Sequence, residues 1–145
     1  MRAWGTSPWP AVVSRTKGRA TVRRGRTRTI RLKRAYDAPT PTDGARVLVD
    51  RVWPRGISKE RIRIDAWLRD LGPSTSLRKW FGHDPDKWAA FRARYRRELA
   101  KKSDLLNELA GYAKARTLTL VYGARDPTHN QAVVIKELLD ERRRR

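Results

Sequence analysis

Two dense apolar runs predict the central strands of a sheet. Arg46–Trp53 and Thr117–Tyr122 are each rich in Val and Leu, and each is followed by a turn residue, Pro54 or Gly123. Such runs are typical of strands that are covered on both faces. A third run, Thr29–Tyr36, alternates apolar and polar residues and predicts an edge or first strand. Helical patterns separate these runs, so we expect neighbouring strands to be parallel.

Helix-start signals and apolar spacings of three and four predict the helices between and after the strands. The caps are serines or Asp-Pro pairs, because their side chains accept backbone N–H bonds and Pro needs no donor at the first position. The expected helix starts are Ser58, Ser74, Asp84-Pro85, Ser103 and Asp126-Pro127. The longest apolar stripe lies in the third predicted helix, which starts at Asp84-Pro85, and consists of Trp88, Phe91, Tyr95 and Leu99.

These elements predict a single small α/β domain over residues 29–141, with a mainly parallel sheet flanked by helices. Residues 1–28 mix Arg, Gly, Thr, Ser and Pro without a sustained period, and we expect a disordered basic tail there. Residues 142–145 form a short basic C-terminal end.

The charge is concentrated at the two ends of the chain. The formal net charge is +20, but residues 1–34 hold eleven basic residues and no acid, and Arg142–Arg145 adds four more. The remaining residues carry twenty basic against fifteen acidic side chains, so the predicted domain is only mildly basic. The chain has no cysteine, which excludes disulfides and zinc–thiolate sites, and no apolar run is long enough to span a membrane.

The basic ends of the chain, above all the N-terminal tail, predict non-specific nucleic-acid binding as the alternative function, because flexible Arg-rich segments bind phosphates by releasing counterions. The alternatives are a flexible tail without a partner and a start codon placed too far upstream. The predicted helix before Ser103 also carries a basic face, which is more simply a solvated surface opposite the apolar stripe. That face consists of Arg92, Arg94, Arg96, Arg97 and Lys101.

Polar side chains follow both central strands, and parallel neighbours bring their carboxyl ends to one edge of the sheet, where α/β proteins bind ligands. We therefore expect one shared cleft and a small anionic ligand, phosphate-bearing or nucleotide-like, with hydrolysis or transfer as a further option. Arg55 and Arg125 would clamp the anion, and Asp50 or His129 would move a proton. The predicted ligand-binding residues are Arg51, Trp53, Arg55, His83, Tyr122, Arg125, Asp126 and Asn130.

The alternative is a purely structural role: an internal network of ion pairs would tie the two strand ends together, and Asp126 would serve only as a cap. A metal site built from His83, Asp84, Asp126 and His129 is disfavoured, because both aspartates have capping roles and the histidines lie far apart in sequence. We predict no metal and identify no cofactor. Oligomeric state is left open.

Several blocks of the chain closely resemble the YeaO-like branch of the family known as domain of unknown function 488. The similarity runs from about Thr29 to about Leu139, and members of the family begin near the equivalent of Thr29. It implies a small cytoplasmic bacterial α/β domain and brings no activity with it. The blocks that carry it are Thr29–Tyr36, Val49–Gly56, Leu77–Asp84 and Tyr122–Asp126 with His129-Asn130.

Overall fold

The protein was analysed as a computed structural model that describes residues 29–144. Four parallel strands form one sheet in the order β1-β4-β2-β3. Leu118 of β4 lies opposite Ile30 of β1 on one side and Ala45 of β2 on the other. The predicted α/β fold with a parallel sheet is therefore confirmed. The strands are β1 (Ile30–Arg34), β2 (Ala45–Leu48), β3 (Ala66–Trp67) and β4 (Leu118–Tyr122).

Five α-helices connect or follow the strands in the described part of the chain, and three short 3-10 turns, Pro41–Asp43, Arg69–Leu71 and Pro85–Lys87, join them. Because parallel strands must be joined by crossovers, most of the helices lie between strands in sequence. The helices are α1 (Lys59–Ile62), α2 (Thr75–Phe81), α3 (Trp88–Leu99), α4 (Ser103–Ala115) and α5 (Gln131–Arg143).

The sheet separates two apolar clusters, as the two-residue period of its strands requires. Val47, Leu118 and Leu120 point into the larger cluster, which includes the buried residues of α2, α3, α4 and α5. Leu48 and Val121 point into the smaller one, which contains Ile62 of α1 and the segment that follows it. The predicted stripe of α3 is buried at Phe91, Tyr95 and Leu99, so the larger cluster forms the main core.

The face with the smaller cluster also buries a charged pair. Arg46 is 1% exposed and its guanidinium donates to Asp43 Oδ2 at 2.8 Å and to the carbonyl of Ile62 at 2.6 Å. Lys33 donates to the same carboxylate at 3.1 Å. Burial works to raise the pKa of Asp43, but its hydrogen bonds outweigh burial and hold the pKa below its usual value. This network stabilises the sheet at the end opposite the predicted site.

Local signals placed the starts of α1 and α2 correctly, whereas the cap positions of α3 and α4 hold Lys87 and Lys102 and not the predicted Asp84 and Ser103. Ser74 accepts the Leu77 N–H at 3.2 Å and begins α2, and Gly82 ends it with a left-handed φ of 52°. The last helix is different: it begins at Gln131 with Asn130 as its cap, and not at Pro127 as predicted. Asp126 instead accepts the N–H groups of Thr128 and His129 in a turn that precedes the helix. The reason is that an Asp-Pro pair can open a turn as readily as a helix.

The expected tail, residues 1–28, lies outside the described residues. At the other end, α5 continues through Arg143, so the first residues of the predicted basic end are helical, and Arg142 donates to Asn107 Oδ1 at 2.9 Å. The basic face of α3 is partly neutralised, because Arg92 and Arg96 pair with Glu137 and Arg96 also with Glu141. Over residues 29–144, no helix has the length and apolar content that crossing a membrane requires.

Candidate functional site

A cleft of about 370 Å³ lies at the carboxyl ends of β1, β2 and β4. We call it the strand-end cleft. It forms where the segments after β2 and β4 meet the C-terminal part of α2, which is the position at which open α/β sheets bind ligands. Its lining residues are Tyr36, Asp50, Arg51, Val52, Trp53, Pro54, Arg55, Pro73, Arg78, Phe81, His83, Phe91, Gly123, Ala124, His129, Asn130 and Gln131.

Asp50 links the two central strand ends within this cleft. Its Oδ2 accepts the backbone N–H of Gly123 at 2.8 Å, and its Oδ1 accepts the side-chain amide of Gln131. The indole N–H of Trp67 donates to the backbone carbonyl of Asp50 at 2.7 Å. The carboxylate is thus held by the end of β4 and the start of α5, and the Asp50 backbone is held by the end of β3, so the position of the side chain is set by the sheet.

Burial raises the pKa of Asp50 to about 7. The Gly123 N–H, the charge of Arg78 and the Gln131 amide all oppose this rise, because each favours the ionised carboxylate. Burial is the larger effect. Near neutral pH the side chain therefore exchanges between its charged and uncharged forms, which is the property expected of a group that binds or moves protons.

The turn after β4 is clamped from two sides. Arg34 at the end of β1 donates to the carbonyl of Ala124 at 2.8 Å, while the N–H of Gly123 faces Asp50. A side chain at position 123 would place its Cβ 2.9 Å from Asp50 Oδ2. Gly123 is therefore required for the close approach of this backbone to the carboxylate.

Arg51 contributes to the cleft wall, but its guanidinium is engaged by the backbone. It donates to the carbonyl of Pro73 at 3.0 Å and to that of Gly72 at 2.9 Å, and it lies 3.7 Å from the exposed carboxylate of Asp70. These bonds fix the segment that leads into α2. Arg51 thus supports the wall, as the ion-pair alternative expects for part of the site.

Arg55 and Arg78 supply the available positive charge. Both are exposed lining residues, and neither guanidinium has a hydrogen bond or ion pair with another residue in the range 29–144. Glu98 fixes the start of α2 by accepting both the N–H and the hydroxyl of Ser74, at 2.8 and 2.6 Å, and so positions Arg78 one turn later. The backbone carbonyl of Arg55 accepts the Tyr36 hydroxyl at 2.7 Å, so the backbone that carries each of the two cations is held by a contact with another segment.

The two histidines occupy separate parts of the lining. His83 follows Gly82 with an unusual left-handed φ of 59°, and its ring lies 6.2 Å from that of Phe81. A positive φ at a residue other than glycine is strained, and such strain is common at functional sites. His129 is held by Asp126, whose Oδ2 lies 2.8 Å from Nδ1, and by an edge contact with the ring of Trp88.

Asp126 acts mainly as the organiser of the loop before α5. Hydrogen bonds from the Thr128 N–H and from His129 lower its pKa to about 2, so it stays ionised. Asn130 caps α5 by accepting the N–H groups of Ala132 and Val133, and its amide donates to the carbonyl of Asp126 at 2.8 Å. The hydrogen bonds of Asp126 and Asn130 thus fix the loop that carries His129 into the cleft lining.

Aromatic and aliphatic side chains form the rim. The indole N–H of Trp53 donates to the carbonyl of Ile57 at 2.7 Å, and its ring packs edge-on against Trp67 with centroids 5.2 Å apart. Tyr36 and Val52 are the exposed large hydrophobic residues of the described chain, at 40% and 56%. Both line this cleft, so its mouth carries apolar surface beside its cations.

Seven of the ten predicted site residues line the strand-end cleft, and three do not. Tyr122 is buried in the main core because its position in β4 turns it toward the helices. Arg125 is exposed beyond the turn, and Asp126 faces the loop that it organises. The lining residues among the ten are Asp50, Arg51, Trp53, Arg55, His83, His129 and Asn130.

Three lining residues with polar side chains were missed from the sequence: Tyr36, Arg78 and Gln131. Gln131 directly follows Asn130 of the predicted polar cluster, and this adjacency was the available signal. Arg78 lies on an exposed helix face, where an arginine is ordinary, so no local pattern distinguishes it. Among residues 29–144 no cluster of three or more His, Asp or Glu side chains could hold a metal ion.

Comparison with known proteins places the chain among similar sequences. A family model described as "Inactive DUF488-N3 subclade" matches residues 29–145. The uncharacterized protein YeaO of Escherichia coli is 44% identical over 110 residues, covering 76% of this chain and 96% of that protein. An uncharacterized protein of Mycobacterium tuberculosis is 39% identical over 113 residues, covering 78% of this chain and 95% of its own length. No solved structure matches the chain significantly.

Proposed function

Because the chain belongs to the inactive DUF488-N3 subclade and is YeaO-like, we propose that it is a binding protein for an anionic, phosphate-bearing ligand, held in the strand-end cleft without turnover. The observation that carries this proposal is the pair Arg55 and Arg78, two exposed cleft arginines whose guanidinium groups have no hydrogen bond or ion pair among the described residues. A guanidinium binds phosphate oxygens through paired N–H donors, and a cleft strengthens the attraction by excluding water.

The charge of the lining supports an anion. Arg51, Arg55 and Arg78 are cationic, whereas Asp50 is the one acidic residue among the lining residues and its pKa of about 7 reduces its mean charge near neutrality. His83 and His129 add donors on imidazole nitrogens. An anion entering the cleft therefore meets more positive than negative charge.

The description of the subclade as inactive favours binding over catalysis, and Asp50 and His129 then serve as binding groups. The absence of cysteine and the resemblance to a cytoplasmic bacterial family favour a cytoplasmic location.

Turnover has a direct test: the wild-type protein should release no inorganic phosphate from phosphate esters. Release that is abolished by Asp50→Asn and by His129→Ala would instead show an enzyme.

Binding itself is tested by thermal unfolding in inorganic phosphate at constant ionic strength. A ligand at about 100 times its Kd adds about 2.7 kcal/mol to the free energy of unfolding, which raises the Tm by several degrees. Arg55→Ala and Arg78→Ala should lose most of this rise. Arg97→Ala is the matched control, because Arg97 is an exposed arginine of α3 outside the cleft.

The control separates binding from the general stabilisation that phosphate gives to most proteins. That general effect raises the Tm of every variant equally. If wild type, Arg55→Ala, Arg78→Ala and Arg97→Ala all respond to phosphate by the same amount, the proposed function is wrong. Arg125→Ala belongs in the same series, since Arg125 was predicted to clamp the anion but is exposed beyond the cleft lining.

A further inference from the structure

The size of the strand-end cleft points beyond a bare anion. Its volume of about 370 Å³ lies in the range of pockets that hold small organic molecules, roughly 300–1,000 Å³. Inorganic phosphate, with a handful of non-hydrogen atoms, fills a minor part of that space. If the proposed anion binds at Arg55 and Arg78, most of the cleft volume remains for the group that carries the phosphate.

The acceptor capacity of Asp50 restricts what that group can be. A carboxylate can accept about four hydrogen bonds. Asp50 accepts two from the protein: one from the Gly123 N–H on Oδ2 and one from the Gln131 amide on Oδ1. The remaining positions have no hydrogen-bond donor among residues 29–144 and are accessible to water, because Asp50 is only partly buried. A ligand that covers Asp50 removes this water, and an ionised acceptor left without a donor is strongly unfavourable.

Above the pKa of Asp50 of about 7, where the carboxylate is ionised, anionic groups alone do not meet this requirement, because a phosphate oxygen beside it would be repelled. A ligand that meets Arg55, Arg78 and Asp50 in one cleft therefore carries an anionic group and, separated from it, a hydrogen-bond donor. Hydroxyl groups are such donors, and they are compatible with a neutral ligand body that also contacts the apolar rim formed by Tyr36 and Val52.

We infer that the ligand is a hydroxylated phosphate ester, with its phosphate toward Arg55 and Arg78 and a hydroxyl group donating to the Asp50 carboxylate. This inference rests on the proposed function and names the ligand class of the same cleft. A sugar phosphate and a nucleotide share this chemistry. They differ in the base, which in a nucleotide would lie against the apolar rim.

Titration of the wild-type protein with four probes tests the inference without any variant: inorganic phosphate, methyl phosphate, ribose 5-phosphate and adenosine 5′-monophosphate. A charge-assisted hydrogen bond should make ribose 5-phosphate bind at least about tenfold more tightly than methyl phosphate. Tighter binding of the nucleotide than of ribose 5-phosphate identifies a nucleotide site, and equal binding identifies a sugar phosphate site.

Asp50→Asn then locates the selectivity. The amide keeps an acceptor for Gly123 but loses the charge, so the preference for ribose 5-phosphate over methyl phosphate should fall to within about threefold, while methyl phosphate still binds. Arg78→Ala should weaken all four probes and keep the preference, since it removes a contact to the shared phosphate. Asp104→Asn, an exposed carboxylate in the first turn of α4, should change neither property.

The outcomes for the two proposals are distinct. If phosphate and methyl phosphate bind and ribose 5-phosphate and the nucleotide bind no more tightly, the inference is overturned and the proposed function stands. If the preference survives in correctly folded Asp50→Asn protein, the hydroxyl group does not contact Asp50 and the inference also fails. If none of the four probes binds the wild-type protein, both proposals fall together.

Discussion

Asp50 Oδ2 accepts the backbone N–H of Gly123 at 2.8 Å and so joins the end of β2 to the end of β4. The two residues are far apart in sequence. Their strands pair in parallel, with Ala45 opposite Leu118 at one end of the pairing and Leu48 opposite Val121 at the other. The bond therefore depends on the sheet register and not on any local motif. It also sets the floor of the strand-end cleft, because both residues line it.

Gly123→Ala tests how closely this backbone must approach the carboxylate. The new Cβ would lie 2.9 Å from Asp50 Oδ2, so we expect a loss of about 1–3 kcal/mol in the free energy of unfolding. Gly123 does not have a positive φ, so backbone strain adds nothing. Gly111→Ala is the control: its Cβ meets nothing within 4 Å inside α4, and it should stabilise by about 0.5–1 kcal/mol. Urea unfolding measures both, and equal effects would contradict the prediction.

Asp50→Asn should change how stability depends on pH. The pKa of Asp50 is about 7 in the folded protein and 3.8 without the fold, so between these values the folded state binds more protons. The free energy of unfolding of the wild type should therefore fall as pH rises from about 4 to about 7. We expect Asp50→Asn to be more stable than wild type at pH 8 by on the order of 2–4 kcal/mol, and the two to converge toward pH 4.

The comparison with wild type at each pH removes the contributions of His83, His129 and Asp126, which both proteins contain. Arg51 and Arg78 are likewise present in both proteins and cancel. Denaturant unfolding at pH 5 and pH 8 is sufficient. An Asp50→Asn protein that is less stable than wild type by the same amount at both values would show that Asp50 contributes through its hydrogen bonds alone.

Arg51→Ala and Arg78→Ala should separate a supporting arginine from a binding one. Arg51 donates to the carbonyls of Gly72 and Pro73, both buried residues, so its loss should lower the free energy of unfolding by about 2–4 kcal/mol. Arg78 is exposed and its loss should change stability by less than about 0.5 kcal/mol. Urea titrations check the pair, and similar losses in both variants would mean that Arg78 is structural.

Removal of residues 1–28 tests the predicted nucleic-acid binding. The segment contains eight basic residues, and the logarithm of affinity should fall with the logarithm of salt by about 0.9 per neutralised phosphate. A chain that begins at Thr29 should therefore lose most of its affinity for DNA and most of its salt dependence. A full-length chain with these eight residues changed to Gln controls for length. If the shortened chain binds as tightly, the contact lies on the folded domain instead.

Local structure was largely determined by the sequence itself. The Ser74 cap and the Gly82 end of α2, and the buried stripe of α3, depend on residues three or four positions apart, which the chain brings together as soon as a helix forms. The parallel sheet also followed, because helices between strands leave few other arrangements. These features yielded the strand-end cleft and seven of its lining residues, including Asp50, Arg55 and His129.

Tertiary structure alone decided which of the polar residues face the cleft. Strand β3 has two residues, too few for a periodic pattern, and it forms because β2 offers an edge. Arg51 and Arg55 have the same side chain. Only the fold places the carbonyls of Gly72 and Pro73 beside Arg51. Arg78 reaches the cleft because Glu98 fixes the start of α2 from another helix. Such contacts join residues distant in sequence, and their geometry exists only after the core has packed.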